Sequence, residues 1–200
     1  MKTNEKREKM KAIRDEIVAL TGSPLYEYRV ENGYFPVIGE GSHDAKIMFV
    51  GEAPGRNEAE TGRPFCGKAG QVLDELLSYI SIPRGDVYIT NILKDRPPEN
   101  RDPLPEEIAV YSPFLDRQID IIQPKIIAAL GRYSMAYIMK KYGLEDVLEP
   151  ISRIHGNVFE VNTLWGSIKI VPLYHPAVAT YDASMIEALR QDFSALKSAL

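Results

Sequence analysis

The chain has 200 residues, 44% of them hydrophobic and 26% charged, with a formal net charge of −4. That is enough apolar material for one domain with a full core, and the acidic balance excludes a protein held on nucleic acid mainly by a broad basic field. A single cysteine, Cys66, excludes an internal disulfide and any metal or iron–sulfur site that needs two thiolates from this chain. The N-terminal stretch MKTNEKREKMKAIRDEIVAL carries charges throughout and has no apolar core of a signal peptide. No apolar run approaches the roughly 18–20 residues that span a bilayer. A soluble, cytoplasmic, monomeric protein without a membrane partner is therefore expected.

In chain order, Met10, Ile13, Ile17 and Leu20 recur at helical spacing and predict an amphipathic helix over residues 1–20. Residues 21–45, punctuated by glycine and proline, read as a long connection with at most short strands. KIMFVG (46–51) is strand-like, and AGQVLDELLSYI (69–80) places Val72, Leu73, Leu76, Leu77 and Ile80 on one helical face. DVYITNIL (86–93) is the next strand, followed by the proline-rich loop RPPENRDPLP. Pro105 with Glu106 and Glu107 is a favourable start for a helix running to Ile122. PKIIAALG (124–131) is a third strand and RYSMAYIMKKYG a helix stopped by Gly143. SIKIVPLYHP (167–176) is a fourth strand, and the remainder closes as a helix with Asp182 or Ser184 as its N-cap. Alternating strands and helices predict an α/β fold of three layers, α/β/α, around a four-stranded parallel sheet, as one domain over residues 1–200. Ligands of such sheets bind at the carboxyl ends of the strands, which here release residues 51–68, 91–104, 131–134 and 174–181.

Those four segments hold the residues suited to chemistry. In GEAPG (51–55), two glycines and Pro54 set a sharp turn whose backbone N–H groups can meet an anion or a carbonyl oxygen, with Glu52 inside it. The plainer reading is a tight connection with an exposed glutamate. Phe65 is either a plug beneath the loop or a stacking platform for a planar ligand. Asn91, at the end of a buried strand, is either bonded to a nearby loop or free to read a donor–acceptor edge. His175 is displayed at a strand's carboxyl end, where Pro176 turns the chain out of the sheet. His43 and His155 lie in loops and read as structural or solvated, so no metal site is expected. Cys66 has no neighbour in sequence that would make it a nucleophile, and fits a small half-buried role. Neither a phosphate-binding GxxxxGK[ST] loop nor a GxSxG elbow is present.

With these positions in view, the sequence resembles the uracil-DNA glycosylase superfamily, most closely its family 4. GEAPG with Glu58 and then GRPFCGKAG, VYITNILKDRPPENRDPLPEE, PFLDRQIDIIQPKIIAALGR and VPLYHPA follow in the family's order, over roughly residues 20–180. Residues 1–19 lie outside the resemblance, as a core element or a docking arm. The resemblance implies hydrolysis of the N-glycosidic bond of a deoxyuridine flipped out of single- or double-stranded DNA. Glu52 and Ala53 would line the turn beneath the base, Glu52 orienting water or balancing positive charge on the sugar. Phe65 would stack on the base, Asn91 would bond its N3–H and O4, and His175 would donate to O2 as negative charge grows there.

The chain departs from the family's pattern in two places. Family 4 members carry four cysteines that hold a [4Fe–4S] cluster, and alignment by neighbouring motifs puts Leu20, Ser23, Asp95 and Tyr111 at those positions. The expected cofactor is therefore none, with Leu20 and Tyr111 filling space and Ser23 and Asp95 bonding backbone amides. After the His-Pro pair, Ala179, Thr180 and Tyr181 replace a Leu-Leu-Arg run that wedges into DNA, leaving Tyr181 as a stacking wedge. The competing functions are a glycosylase for another deaminated base such as hypoxanthine, a non-catalytic module that binds uracil or DNA, and a small-molecule hydrolase or nucleotide-binding protein on the same sheet.

Overall fold

The structure, a computed structural model, describes residues 3–200. Among them the strands β1 (Glu40–Gly41), β2 (Ile47–Gly51), β3 (Tyr88–Asn91), β4 (Ile126–Leu130), β5 (Phe159–Thr163) and β6 (Gly166–Leu173) form one sheet in the order β1-β3-β2-β4-β6-β5. The inner pairs β3–β2, β2–β4 and β4–β6 are parallel, which is the four-stranded core that the alternation of strands and helices predicts. The sheet is larger than expected, however. β1 and β5 are antiparallel additions at its two edges, pairing with β3 and β6. β5 carries only a weak strand signal in the sequence because it is half-buried and polar, FEVNT, and an edge strand needs only one apolar face.

The helices are α1 (Thr3–Val18), α2 (Tyr26–Glu31), α3 (Arg56–Thr61), α4 (Lys68–Tyr79), α5 (Pro105–Ile122), α6 (Arg132–Lys141), α7 (Ile151–Ile154), α8 (Val178–Tyr181) and α9 (Met185–Ser198). Side chains alternate across the central strands with a period of two. Met48, Val50, Tyr88, Ile127, Ala129 and Ile170 face the layer of α1, α5 and α6. Ile47, Phe49, Ile89, Ala128, Leu130, Val171 and Leu173 face α4 and α9. Helix α1 buries Met10, Ile13 and Ile17 and packs along α5, so it is a core element. No described helix is long and apolar enough to cross a membrane. The short helix α2 lies in the connection expected to hold at most short strands, and α3, α7 and α8 interrupt segments expected to be loops; each is one or two turns, too brief for an apolar periodicity to register.

The chain leaves β2 towards β3 on one side and later returns on the other side to β4, so the order reverses between β2 and β4. A crevice opens at the carboxyl ends of the strands at such a reversal. The three segments 51–68, 91–104 and 174–181 converge there.

Candidate active site

Glu52, Ala53, Phe65, Asn91 and His175 all line one cleft of about 470 Å³. Glu52 and Ala53 follow β2, Phe65 precedes α4, Asn91 ends β3 and His175 follows β6. Gly51 closes β2 and hands Glu52 to the cleft, while Ile92 and Leu93 donate their N–H groups to the carbonyls of Gly51 and Glu52, locking the ends of β2 and β3 together. Gly51 is needed for close approach: a Cβ there would lie 2.3 Å from Asn91 Oδ1 and 2.8 Å from the Phe65 ring.

The Gly-rich stretch is ordered by one carboxylate. Glu58, on α3, accepts the N–H groups of Cys66 and Gly67 on Oε1, at 2.9 and 2.8 Å. This holds Phe65 in a left-handed conformation (φ 48°) with its ring turned inward. Phe65 is 6% exposed, and its ring stacks on His175 with centroids 5.5 Å apart. It is thus a plug in the core that also walls the cleft. Glu58 carries no role in the sequence reading beyond its place in the motif, because nothing local shows which amides it meets.

His175 sits against Gly131, whose φ of 86° and lack of a side chain bring the end of β4 onto the imidazole. His175 Nδ1 accepts the N–H of Ala177 at 3.2 Å, which puts the ring proton on Nε2. Burial pushes its pKa down to about 4, against a small opposing pull from Glu58, so the ring is neutral at ordinary pH. Asn91 is 2% exposed, and among the described residues its side-chain amide has no hydrogen-bond partner. Burial and the nearby Asp102 carboxylate push the Glu52 carboxyl up to about 7, partly offset by Arg132. Sequence reading passed over Asn100 and Asp102, which also line the cleft, because both lie in a proline-rich loop without periodicity. Asn100 is held at φ 54° with its Oδ1 accepting from Arg96, and Asp102 pairs with Arg132 at 2.6 Å. Of the remaining histidines, His155 is bonded to the buried Asp192 at 2.7 Å and His43 packs on the Tyr88 ring, both away from the cleft.

The positions at which family 4 cysteines are expected also meet in space. Tyr111 Oη donates to Asp95 Oδ2 and lies 2.5 Å from Ser23 Oγ, and Ser23 Oγ accepts the Leu25 N–H. Arg29 donates to both Asp95 oxygens and to the carbonyls of Ile17 and Val18. Leu20 packs on the adjacent core. The expected division of labour is corrected here: Tyr111 is polar as well as packed, and Asp95 bonds a guanidinium and a phenol where backbone amides were expected. These side chains satisfy one another and include no thiolate, so they do not fit an iron–sulfur cluster. Among the described residues no three His, Cys, Asp or Glu side chains gather where they could hold a metal ion.

Comparison with known proteins agrees with this geometry. The family profile described as "Uracil DNA glycosylase superfamily" matches residues 38–197. A type-4 uracil-DNA glycosylase of Sulfurisphaera tokodaii is 42% identical over 189 residues, covering 94% of this chain and 83% of the relative. Those of Archaeoglobus fulgidus and Thermotoga maritima are 43% and 40% identical, covering 83% and 86% of this chain and 81% and 83% of the relatives. By profile, by relatives and by the residues gathered at the reversal of its sheet, the chain belongs to the uracil-DNA glycosylase superfamily.

Proposed function

We propose that this protein is a monofunctional uracil-DNA glycosylase of DNA repair, which hydrolyses the N-glycosidic bond of a flipped-out deoxyuridine and leaves an abasic site. The observation that carries the reading is the pairing, in one cleft, of an Asn91 amide that lines it without a hydrogen-bond partner among the described residues with a neutral His175 whose Nε2 bears the proton. Asn91 Oδ1 accepts the uracil N3–H and its Nδ2 donates to O4. Cytosine presents the opposite pattern on that edge and would leave both atoms unpaired, a cost of about 1–3 kcal/mol each. Phe65 supplies an apolar wall for the planar base, and the turn at Glu52 and Ala53 supplies its floor.

As the C1′–N1 bond breaks, its electron pair passes to the base and positive charge develops on the sugar. His175 Nε2–H donates to O2, where the negative charge gathers. A positioned donor of this kind contributes about 10²–10³ in rate. The Glu52 carboxylate faces the sugar, balances its charge and takes a proton from the water that adds to C1′. Flipping the nucleotide costs a few kcal/mol, least in a single strand or a mismatch. Tyr181, 91% exposed at the lip of the cleft, is the side chain placed to stack into the vacated duplex. The proposed enzyme works as a cytoplasmic monomer on single- or double-stranded DNA. It works without an iron–sulfur cluster, a reading supported by the self-satisfied Arg29–Asp95–Tyr111–Ser23 group.

The test is single-turnover release of uracil from an oligonucleotide, single-stranded and then opposite guanine or adenine, with iron assayed in the same preparation. Release by iron-free protein, with Asn91→Ala and His175→Ala each at least a hundredfold slower, is expected. Tight binding of uracil-DNA without release would instead mark a binding module.

A further inference from the structure

Lys94 is fully buried, three residues beyond Asn91, and the catalytic reading makes no use of it. After β3 ends, the chain curls so that the Lys94 side chain returns beneath the strand. Its Nζ donates to Thr90 Oγ1, to the main-chain carbonyl of Asn91 and to Gln118 Oε1, each at 2.7 Å. Three acceptors are the full complement of an ammonium's three N–H groups, and no carboxylate is among them. Two of these partners are tied in turn to the loop before β1: Thr90 Oγ1 and Gln118 Nε2 both donate to the Ile38 carbonyl. Burial pushes the Lys94 pKa well down, while the three acceptors favour the protonated form.

A buried lysine without a counter-ion is an expensive way to fill space that a methionine would fill without desolvation. What the lysine adds is direction. It grips the carbonyl of the residue whose amide faces the cleft, and the side chain just before it, and anchors both to α5. From the other side, Gly51 lies against both the Asn91 Oδ1 and the Phe65 ring. We propose that Lys94 is a positioning residue for Asn91: a buried tripod that holds the uracil-reading amide in one orientation although that amide has no partner of its own. The inference rests on the assignment of Asn91 to the base edge.

The experiment is a double-mutant cycle of Lys94→Met with Asn91→Ala, read as single-turnover uracil release and, separately, as the DNA concentration giving half-maximal rate. Lys94→Met is expected to slow release ten- to a hundredfold with that concentration changed less than threefold. In the Asn91→Ala background it is expected to cost less than twofold, since the amide it orients is gone. Equal factors in both backgrounds, or a wild-type rate for Lys94→Met alone, would overturn the proposal. A wild-type rate for Asn91→Ala would overturn the assignment of Asn91 itself and the proposal with it. If Lys94→Met does not fold by circular dichroism, Thr90→Val, which removes one of the three acceptors, replaces it in the cycle. It is expected to slow release three- to tenfold in the wild-type background and less than twofold with Asn91→Ala, and equal factors would again overturn the proposal.

Discussion

The segment from Asn91 to Asp95 joins two polar regions built on opposite principles. At one end lies the cleft, where the Asn91 amide and the His175 Nε2–H face open space. At the other lies the Arg29–Asp95–Tyr111–Ser23 group, where each side chain meets another within hydrogen-bond distance. Polar groups that satisfy each other stabilise; polar groups held rigid and unsatisfied wait for a ligand. In this chain a four-residue separation along the sequence carries both, because β3 ends in the cleft and the chain then turns beneath α2.

The contrast predicts that mutations in the two regions separate stability from activity. The largest effect on folding is expected from Asp95→Ala, which leaves the Arg29 charge buried without its partner. Loss of one member of a buried pair costs about 3–5 kcal/mol, measurable by urea denaturation, while base release per folded molecule stays within a few-fold. An equal loss of activity would show that the two regions are coupled. Gly51→Ala sharpens the other side. The added methyl would meet Asn91 Oδ1 and the Phe65 ring at less than van der Waals distance. Release should slow ten- to a hundredfold, with a smaller loss of stability.

The Glu52 carboxyl offers a test by pH. Its pKa is raised to about 7, so the charged form that the proposed mechanism uses appears only as pH rises through that value. The rate at subsaturating DNA should climb tenfold per pH unit below about 7 and level off above it, whereas His175, neutral above about 4, adds no limb. Glu52→Gln should flatten this rise. Stability runs the other way. A carboxyl with a raised folded pKa binds its proton more tightly in the folded state, so stability falls as pH rises from its ordinary value to about 7. The smallest effect is expected from Tyr111→Phe, which removes one hydroxyl from the buried group. A cost of about 1–3 kcal/mol, read by the same denaturation, fits a satisfied network; no cost would mean that Ser23 and Asp95 re-pair without it.

Several features were legible from residue order alone. The four central strands and the long helices follow from apolar periodicity, which is a local property of the chain. The placing of Glu52, Phe65, Asn91 and His175 at one end of the sheet follows from a general rule about parallel strands and the side from which their loops emerge. Their grouping into one known pattern came from the order of several motifs. The tertiary structure alone decided that Phe65 plugs and lines the cleft at once, since that depends on Glu58 reaching two amides further along the chain. The family pattern already grouped Ser23, Asp95 and Tyr111, but the structure alone joined to them Arg29, a residue that no motif singled out, and showed which of them bond. It alone turned Lys94 under its own strand. The physical reason is common to all three: hydrogen bonds made outside regular helix and strand ladders carry no periodic signal, whether the partners lie three residues apart, as Lys94 and Asn91 do, or 88 apart, as Ser23 and Tyr111 do, so they become visible only when the folded chain brings them within 3 Å or so of each other.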